Sequence, residues 1–401
     1  MRIAILASGY LPVLDGVTVS LAARVRRLAA AGHAVLLMAP RAARPPEPEA
    51  LPAGVTFVAL DSAPFGEAAG DHNVRPAARA AIERALDAFR PDVIHVDEPE
   101  RLALGLRRVP ARAYARRHGI PLLAFFHTNF MDYAGAGGGL PSGLLGPVRA
   151  LGWRAVARLY NGFDATLVPS PASLVRLQRF GLANGVCGPF NGADTAAFTP
   201  DLRRSGYWAG RGLPSLEGRV VMLVAGRLTP DKGWDAWGRA LPALAARLGP
   251  SLAMVIVGDG ALMPEVRRMA ERVGTVHVIG AVPHPQMPAL FANSALYATQ
   301  SRCENASLAV YEALASGLPV IGPRAGGLPG QVRDGETGLL FAPGDVAGFV
   351  AAAARLVEDE GARAAMRAAA LAERPRLGWD RAVEAWLEAV AAHVPASKAR
   401  G

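Results

Sequence analysis

Two carboxylates stand eight positions apart in the segment ENASLAVYE, at Glu304 and Glu312, shortly after an apolar run that ends at Gln300. A helix opening near Asn305 would put Glu304 at its mouth and Glu312 about two turns along it. Both could then serve one ligand, with Glu304 accepting from hydroxyl groups. The exposed amides of Asn305, Ala306, Ser307 and Leu308, at the positive end of the helix dipole, suit an anion or sugar hydroxyls. By spacing alone the pair reads equally well as a helix-start acid and a solvated face residue.

Arg227 and Lys232 lie five apart in GRLTPDKG, between an apolar run and the next helix. Two cations around one turn can neutralise a diphosphate that gains charge as its bond to a sugar breaks. Singly they read as solvated loop residues, but of the 43 basic residues only Lys232 and Lys398 are lysines, which sets Lys232 apart. His127 closes the run LLAFFH, where an imidazole can bond a sugar hydroxyl or its own neighbouring backbone. Gly16, in DGV after the first apolar run, can bring backbone close to a phosphate or simply form a turn. The chain has no Walker A loop, no DxD pair, no Gly-x-Ser-x-Gly and no Cys/His dyad. No essential metal and no cofactor are therefore expected. Cys187 and Cys303 have no metal-ligand spacing and need no disulfide, which fits a reducing compartment.

These residues need rigid elements to converge. Short apolar runs alternate with longer segments of helical period along both halves, the pattern of βαβ units and parallel sheets buried on both faces. Strands are predicted at 2–7, 34–39, 55–59, 93–96, 122–127 and 165–169, then at 220–226, 252–258, 276–280, 296–300 and 319–322. The first helix is predicted over Val19–Ala31. Every candidate follows the carboxyl end of a strand, where open α/β sheets bind ligands. Glycines and prolines between Thr199 and Glu217 break every period and predict a linker there. The expected domains are thus 1–200 and 215–375, each doubly wound and Rossmann-like, with an amphipathic helix at 379–392 crossing back onto the first. The motifs Gly258-Asp259-Gly260, Gly326-Gly327 and Gly335-Glu336-Thr337-Gly338 read chiefly as turns.

With 401 residues, 51% apolar and 19% charged, the chain can bury large cores. Its net charge of +9 leans to residues 1–200, which carry 21 basic and 15 acidic side chains against 22 and 19 beyond. The lean suits an anionic lipid or nucleotide. Nucleic acid is not expected, because finger, basic-zipper and aromatic RNA-binding signatures are all missing. The arginines 101, 107, 108, 112, 116 and 117, with Leu102, Leu104 and Leu106, could rest on anionic lipid or form a solvated face. The loop Met131–Leu145 reads as an apolar lip for an acceptor or as a linker. No run of 18 apolar residues occurs, and Pro12 and Asp15 interrupt the start too early for a signal peptide. A cytoplasmic location is expected, peripheral on the inner membrane face if the acceptor is a lipid.

In order and placement, His127, GR-x4-K at 226–232 and Glu304…Glu312 resemble the retaining glycosyltransferases of family 4, which have the GT-B fold of two Rossmann-like domains facing across a cleft. The resemblance covers nearly the whole chain. PDVIHVDEP, FHTNFMDYA, ATLVPS, NGADTAAFTP and EALASGLPVIGPRAGG are similar to the lipid-directed branch: sulfoquinovosyltransferases, GDP-mannose-dependent α-mannosyltransferases and digalactosyldiacylglycerol synthases. The resemblance implies a hexosyltransferase moving a hexose from a nucleotide-diphosphate sugar, UDP favoured over GDP-mannose, to a lipid or glycolipid hydroxyl. A soluble acceptor, a nucleotide-sugar isomerase or hydrolase, and a non-catalytic sensor are the alternatives. It further implies that Arg227 and Lys232 bind the diphosphate and Gly16 packs against it. Glu304 and the amides from Asn305 to Leu308 would hold the sugar, Glu312 the ribose, His127 the C6 side, and Val282 the base through its backbone. Ser307 stands where the family usually has glycine, and the first loop has one glycine where a pair is common.

Overall fold

The computed structural model describes residues 1–10, 15–41, 51–65, 72–129, 131, 142–213 and 216–394. It resolves into two units, one holding Met1–Met131, Gly139–Asn191 and Trp379–Gly401, the other Gly192–Gly378.

In the first unit the strands are β1 Arg2–Leu6, β2 Ala34–Pro40, β3 Val55–Leu60, β4 Ser62–Pro64, β5 His72–Val74, β6 Val93–Asp97, β7 Leu122–Phe125, β8 Ala165–Val168 and β9 Gly185–Cys187. Seven of them form a parallel sheet in the order β3-β2-β1-β6-β7-β8-β9, while β4 and β5 make a small antiparallel pair. Continuous apolar runs are required because both faces are covered. In β1, Ala4 and Leu6 enter one core with Ile94, Val96 and Tyr160, while Ile3 and Ile5 enter another with Leu21, Val25 and Trp386. Trp386 belongs to the helix Trp379–Ala391, which packs on the helix Gly16–Ala30, with Arg27 Nε 2.6 Å from Asp380 Oδ1.

The second unit contains β10 Val220–Ala225, β11 Leu252–Val257, β12 Val276–Gly280, β13 Leu296–Ala298, β14 Val320–Pro323 and β15 Gly338–Phe341, parallel and ordered β12-β11-β10-β13-β14-β15. Strand order reverses between β1 and β6 in the first sheet and between β10 and β13 in the second. Such reversals open a crevice at the carboxyl ends of the two strands.

Two expectations need correction. Residues 199–217 are no linker: Phe198, Trp208 and Leu216 are buried in the second unit's core, so the glycines and prolines there interrupt periodicity without interrupting packing. The second unit begins at Gly192 and ends at Gly378, where Ala193 donates to the Leu377 carbonyl at 2.8 Å. Gly338 is also more than a turn residue, since it starts edge strand β15 beside Val320 of β14. A side chain at Gly338 would collide with the Val320 backbone.

Candidate active site

Arg227 and Lys232 follow β10, and Glu304 follows β13, so the second sheet's reversal point carries all three. The loop after β10 tightens into a 3-10 turn at Pro230–Lys232 and leaves through Gly233 at φ 74°. There Lys232 Nζ lies 2.6 Å from Glu304 Oε1. Arg227 is more exposed, its Nη2 3.4 Å from Asp231 Oδ2, which is also 3.8 Å from Lys232 Nζ. From behind, the Glu304 carbonyl accepts the Gly327 amide at 2.8 Å. A Cβ at Gly326 would lie only 2.5 Å from that carbonyl, so these glycines back the acidic loop rather than merely turning the chain.

The helix expected from Asn305 starts later, at Leu308, with Ser307 in extended backbone (φ −71°, ψ 119°). Gln331 explains the delay: its Oε1 accepts the Ser307 amide and its Nε2 donates to the Ser307 carbonyl, both at 2.9 Å. The amide of Ser307 is therefore occupied, and Glu312 lies just over one turn into the helix rather than two. Glu312 is buried, with Oε1 3.4 Å from His284 Nε2. The His284 imidazole is pushed up in pKa by that hydrogen bond above all. Both acids act on one buried neighbour. Burial, and then the charges of Glu304 and Glu312, drive the Tyr297 phenol well above its usual range, and its hydroxyl donates to the Ala225 carbonyl at 3.1 Å. Val282 is half-buried against the same core as Tyr297.

In the first unit, Gly16 is the first residue of its helix, which begins three residues earlier than expected. Asp15 caps it, its carboxylate accepting the Thr18 amide at 2.8 Å and its own amide donating to Thr18 Oγ1 at 3.0 Å. A carboxylate thus already serves the helix start where Gly16 was expected to meet phosphate. His127 is held by Asp97, whose Oδ1 is 2.7 Å from Nε2, and stacks on Phe125 with ring centres 4.0 Å apart. Asp97 is fully buried and also meets Arg24 and His95, each at 3.2 Å. Arg24 and the two histidines hold its carboxyl well below the usual range despite burial. At the first sheet's reversal point Ser8, after β1, donates to Glu98, after β6, at 2.5 Å, and Thr128 donates to the other oxygen of Glu98 at 2.8 Å.

Sequence reading thus found the strand ends but missed their partners Asp97, Asp231, His284 and Gln331. Asp97 and Asp231 sit inside quoted motifs, whereas Gln331 carries no local signal. Of the basic segment, Arg101 turns inward, donating to the His72 carbonyl at 3.0 Å, while Arg107, Arg108, Arg116 and Arg117 are exposed. In the loop Met131–Leu145, residues 132–141 and the side chains of 142–145 lie outside the described residues. Among the described residues no three His, Cys, Asp or Glu side chains gather as metal ligands, and no helix is long and apolar enough to cross a membrane.

Two doubly wound parallel sheets, each with a strand-order reversal, are the architecture of a GT-B glycosyltransferase, and the comparisons show that class. Residues 14–195 match Glycosyltransferase Family 4 and residues 211–372 match Glycosyl transferases group 1. A GDP-mannose-dependent alpha-mannosyltransferase of Corynebacterium glutamicum is 30% identical over 92% of this chain and 84% of its own length. The sulfoquinovosyl transferase SQD2 of Arabidopsis thaliana is 28% identical over 73% of this chain and 54% of its own. The structure of Anabaena HepE in complex with UDP has the same fold, with a TM-score of 0.72 at 18% identity over 98% of this chain and 100% of that one. The chain belongs to glycosyltransferase family 4. It is a hexosyltransferase that uses a nucleotide sugar.

Proposed function

We propose that the enzyme transfers its hexose with retention of the α configuration to a hydroxyl of a lipid or glycolipid at an anionic membrane surface. The observation that carries the donor half is the Lys232–Glu304 pair of 2.6 Å at the second sheet's reversal point. An ammonium has three N–H donors, so Lys232 can keep Glu304 in place and still bind a diphosphate beside Arg227. Glu304 has a second oxygen for sugar hydroxyls. Glu312 is the ribose acceptor in this reading, and the half-buried backbone near Val282 receives the base. Thr229 Oγ1, buried without a hydrogen bond among the described residues, offers the donor a further polar contact.

As the glycosidic bond breaks, negative charge grows on the leaving diphosphate, and Arg227 and Lys232 stabilise it more in the transition state than in the ground state. The leaving diphosphate can take the acceptor proton on the same face, so the mechanism needs no separate general base. These cations take the part that a divalent metal has in other transferases. Asp97 fixes His127 in orientation, which leaves His127 a positioning contact to the sugar's C6 side. For the donor, the widely matching relative named GDP-mannose-dependent outweighs the lean towards UDP from sequence, and GDP-mannose is the first donor to test.

The lipid half rests on the first unit's surface. The exposed large apolar side chains among the described residues, Phe65, Leu104, Val148, Leu151 and Val175, all belong to that unit; the last four lie near Arg107, Arg149 and Arg176 in sequence, and Arg101 sits over the Phe65 ring. Exposed apolar side chains interleaved with arginines suit anionic lipid. The test is transfer from GDP-mannose, UDP-glucose and UDP-galactose to diacylglycerol-containing vesicles in EDTA, with the product's anomeric configuration read by NMR. Lys232→Ala or Glu304→Ala should lower kcat/KM at least about 100-fold while the variant keeps its circular dichroism. Wild-type turnover in either variant refutes the site, an inverted product refutes retention, and full activity of Leu151→Asp on vesicles refutes the surface.

A further inference from the structure

The second unit has another cavity, at the opposite strand ends from the donor residues. It measures about 400 Å3 and is lined by Arg203, Arg204, Arg219, Glu217, Trp208 and Asn293 together with Val221 and Ala295. Val221 is the second residue of β10 and Ala295 immediately precedes β13, so these are the amino-terminal ends of the two strands whose carboxyl ends carry Arg227, Lys232 and Glu304. From Val221 to Ala225 the strand spans roughly 13 Å. One group cannot occupy both places.

The charge is one-sided. Three guanidiniums face a single carboxylate, and among the described residues none of the three is in an ion pair. Glu217 is itself engaged, accepting the Ala209 amide at 3.3 Å. The surrounding field is uncompensated: besides burial, Arg203 holds the neighbouring Arg367 below its usual pKa, and Arg219 does the same to His277. The lining is also braced before any ligand arrives. Asn293 is buried and ties the arginine loop to the helix that it ends, with Oδ1 accepting the Arg204 backbone amide at 2.8 Å and Nδ2 donating to the Leu202 carbonyl of the loop at 3.1 Å and to the Ala289 carbonyl of the helix at 2.8 Å. The Trp208 indole donates to the Asn293 carbonyl at 3.0 Å. Such bracing lowers the ordering cost of binding, and planar guanidiniums match phosphate oxygens two at a time.

We propose that this cavity is a second anion site, which binds a phosphate-bearing group separate from the donor's diphosphate. The group can come from a soluble phosphorylated metabolite or from a phospholipid headgroup, and both present the same oxygens to Arg203, Arg204 and Arg219. Pyrophosphate is the soluble probe and phosphatidylglycerol vesicles the lipid one, each applied to wild type, Lys232→Ala and Arg204→Gln/Arg219→Gln. The folded state of each variant is checked by circular dichroism and thermal melting.

If the soluble source is right, calorimetry of wild type gives two pyrophosphate sites. Lys232→Ala keeps one of them, and the double glutamine variant weakens that one at least tenfold while still binding nucleotide. If the headgroup is right, pyrophosphate gives only the site lost in Lys232→Ala, whereas vesicle co-sedimentation falls at least threefold in the folded double glutamine variant. Wild-type pyrophosphate and vesicle binding by that variant overturns the second site. Two sites that survive in Lys232→Ala would instead count against the donor assignment, so the two readings fail separately.

Discussion

Glu100 lies in the first turn of the helix Pro99–Leu106, with the Tyr160 hydroxyl donating to its Oε2 at 2.5 Å. Burial, reinforced by the charge of Glu98, pushes its carboxyl up to about 8 from an ordinary value of 4.5, and the Tyr160 hydrogen bond, then Arg101, offset only part of the rise. Between those values the folded protein holds a proton that the unfolded chain releases. Stability attributable to this group is therefore whole below about pH 4.5 and declines as pH rises towards 8. Glu100→Gln reproduces the protonated form and removes the titration. Thermal melts should show the variant close to wild type at pH 5 and more stable by about 4 kcal/mol at pH 9. Parallel pH profiles for the two proteins would mean that Glu100 ionises like an exposed acid. The same scale shows why the site was only half legible in sequence. The types and spacing of Arg227, Lys232, Glu304 and Glu312 are compatible with a diphosphate-sugar chemistry and equally with solvated surface residues, and the 2.6 Å contact between Lys232 and Glu304 joins residues 72 positions apart, which no local pattern encodes.

Elements were legible where hydrophobic pattern dominates and illegible where long-range packing overrides it. Long apolar runs such as VVMLVA and LAMVIV had to be strands buried on both faces, and they are. The three-residue strands β4, β5 and β9 carry no such run: β4 and β5 pair with each other, and β9 extends the first sheet beside β8. The helix at Leu308 was misplaced by three residues because a glutamine some twenty residues on fixes Ser307 as extended. Gly233 shows how tightly the elements are fitted at the site. It follows Lys232 with φ 74°, and a Cβ there would strike the carbonyl of Gln300. Gly233→Ala thus combines a left-handed backbone with a backbone collision, and should cost about 2–3 kcal/mol. Relief of the collision has to move the Pro230–Lys232 turn or the end of β13, which separates Lys232 from Glu304. Nucleotide-sugar affinity should fall at least tenfold in protein that remains folded. An affinity equal to wild type would show that the turn does not position the ammonium.

On the scale of the whole molecule, the chain runs from the first unit into the second at Gly192 and returns after Gly378. The first unit is therefore closed by the last described helix rather than by its own neighbours in sequence. Trp386 is fully buried there, its ring 5.3 Å from that of His95, and it shares a core with Ile3, Ile5, Leu21 and Val25. His95 contacts Asp97 in turn, so the packing of residue 386 bears on the carboxylate that orients His127. Trp386→Ala should cost about 3–5 kcal/mol through the cavity it leaves. The loss should fall on one unit. Calorimetry in the presence of the donor nucleotide, which on the proposed site binds through Lys232 in the second unit, should show the nucleotide-stabilised transition in place and a separate transition lowered by about 10 °C or more. A single transition that moves as a whole would show instead that the two units unfold together and that the returning helix sets the stability of both.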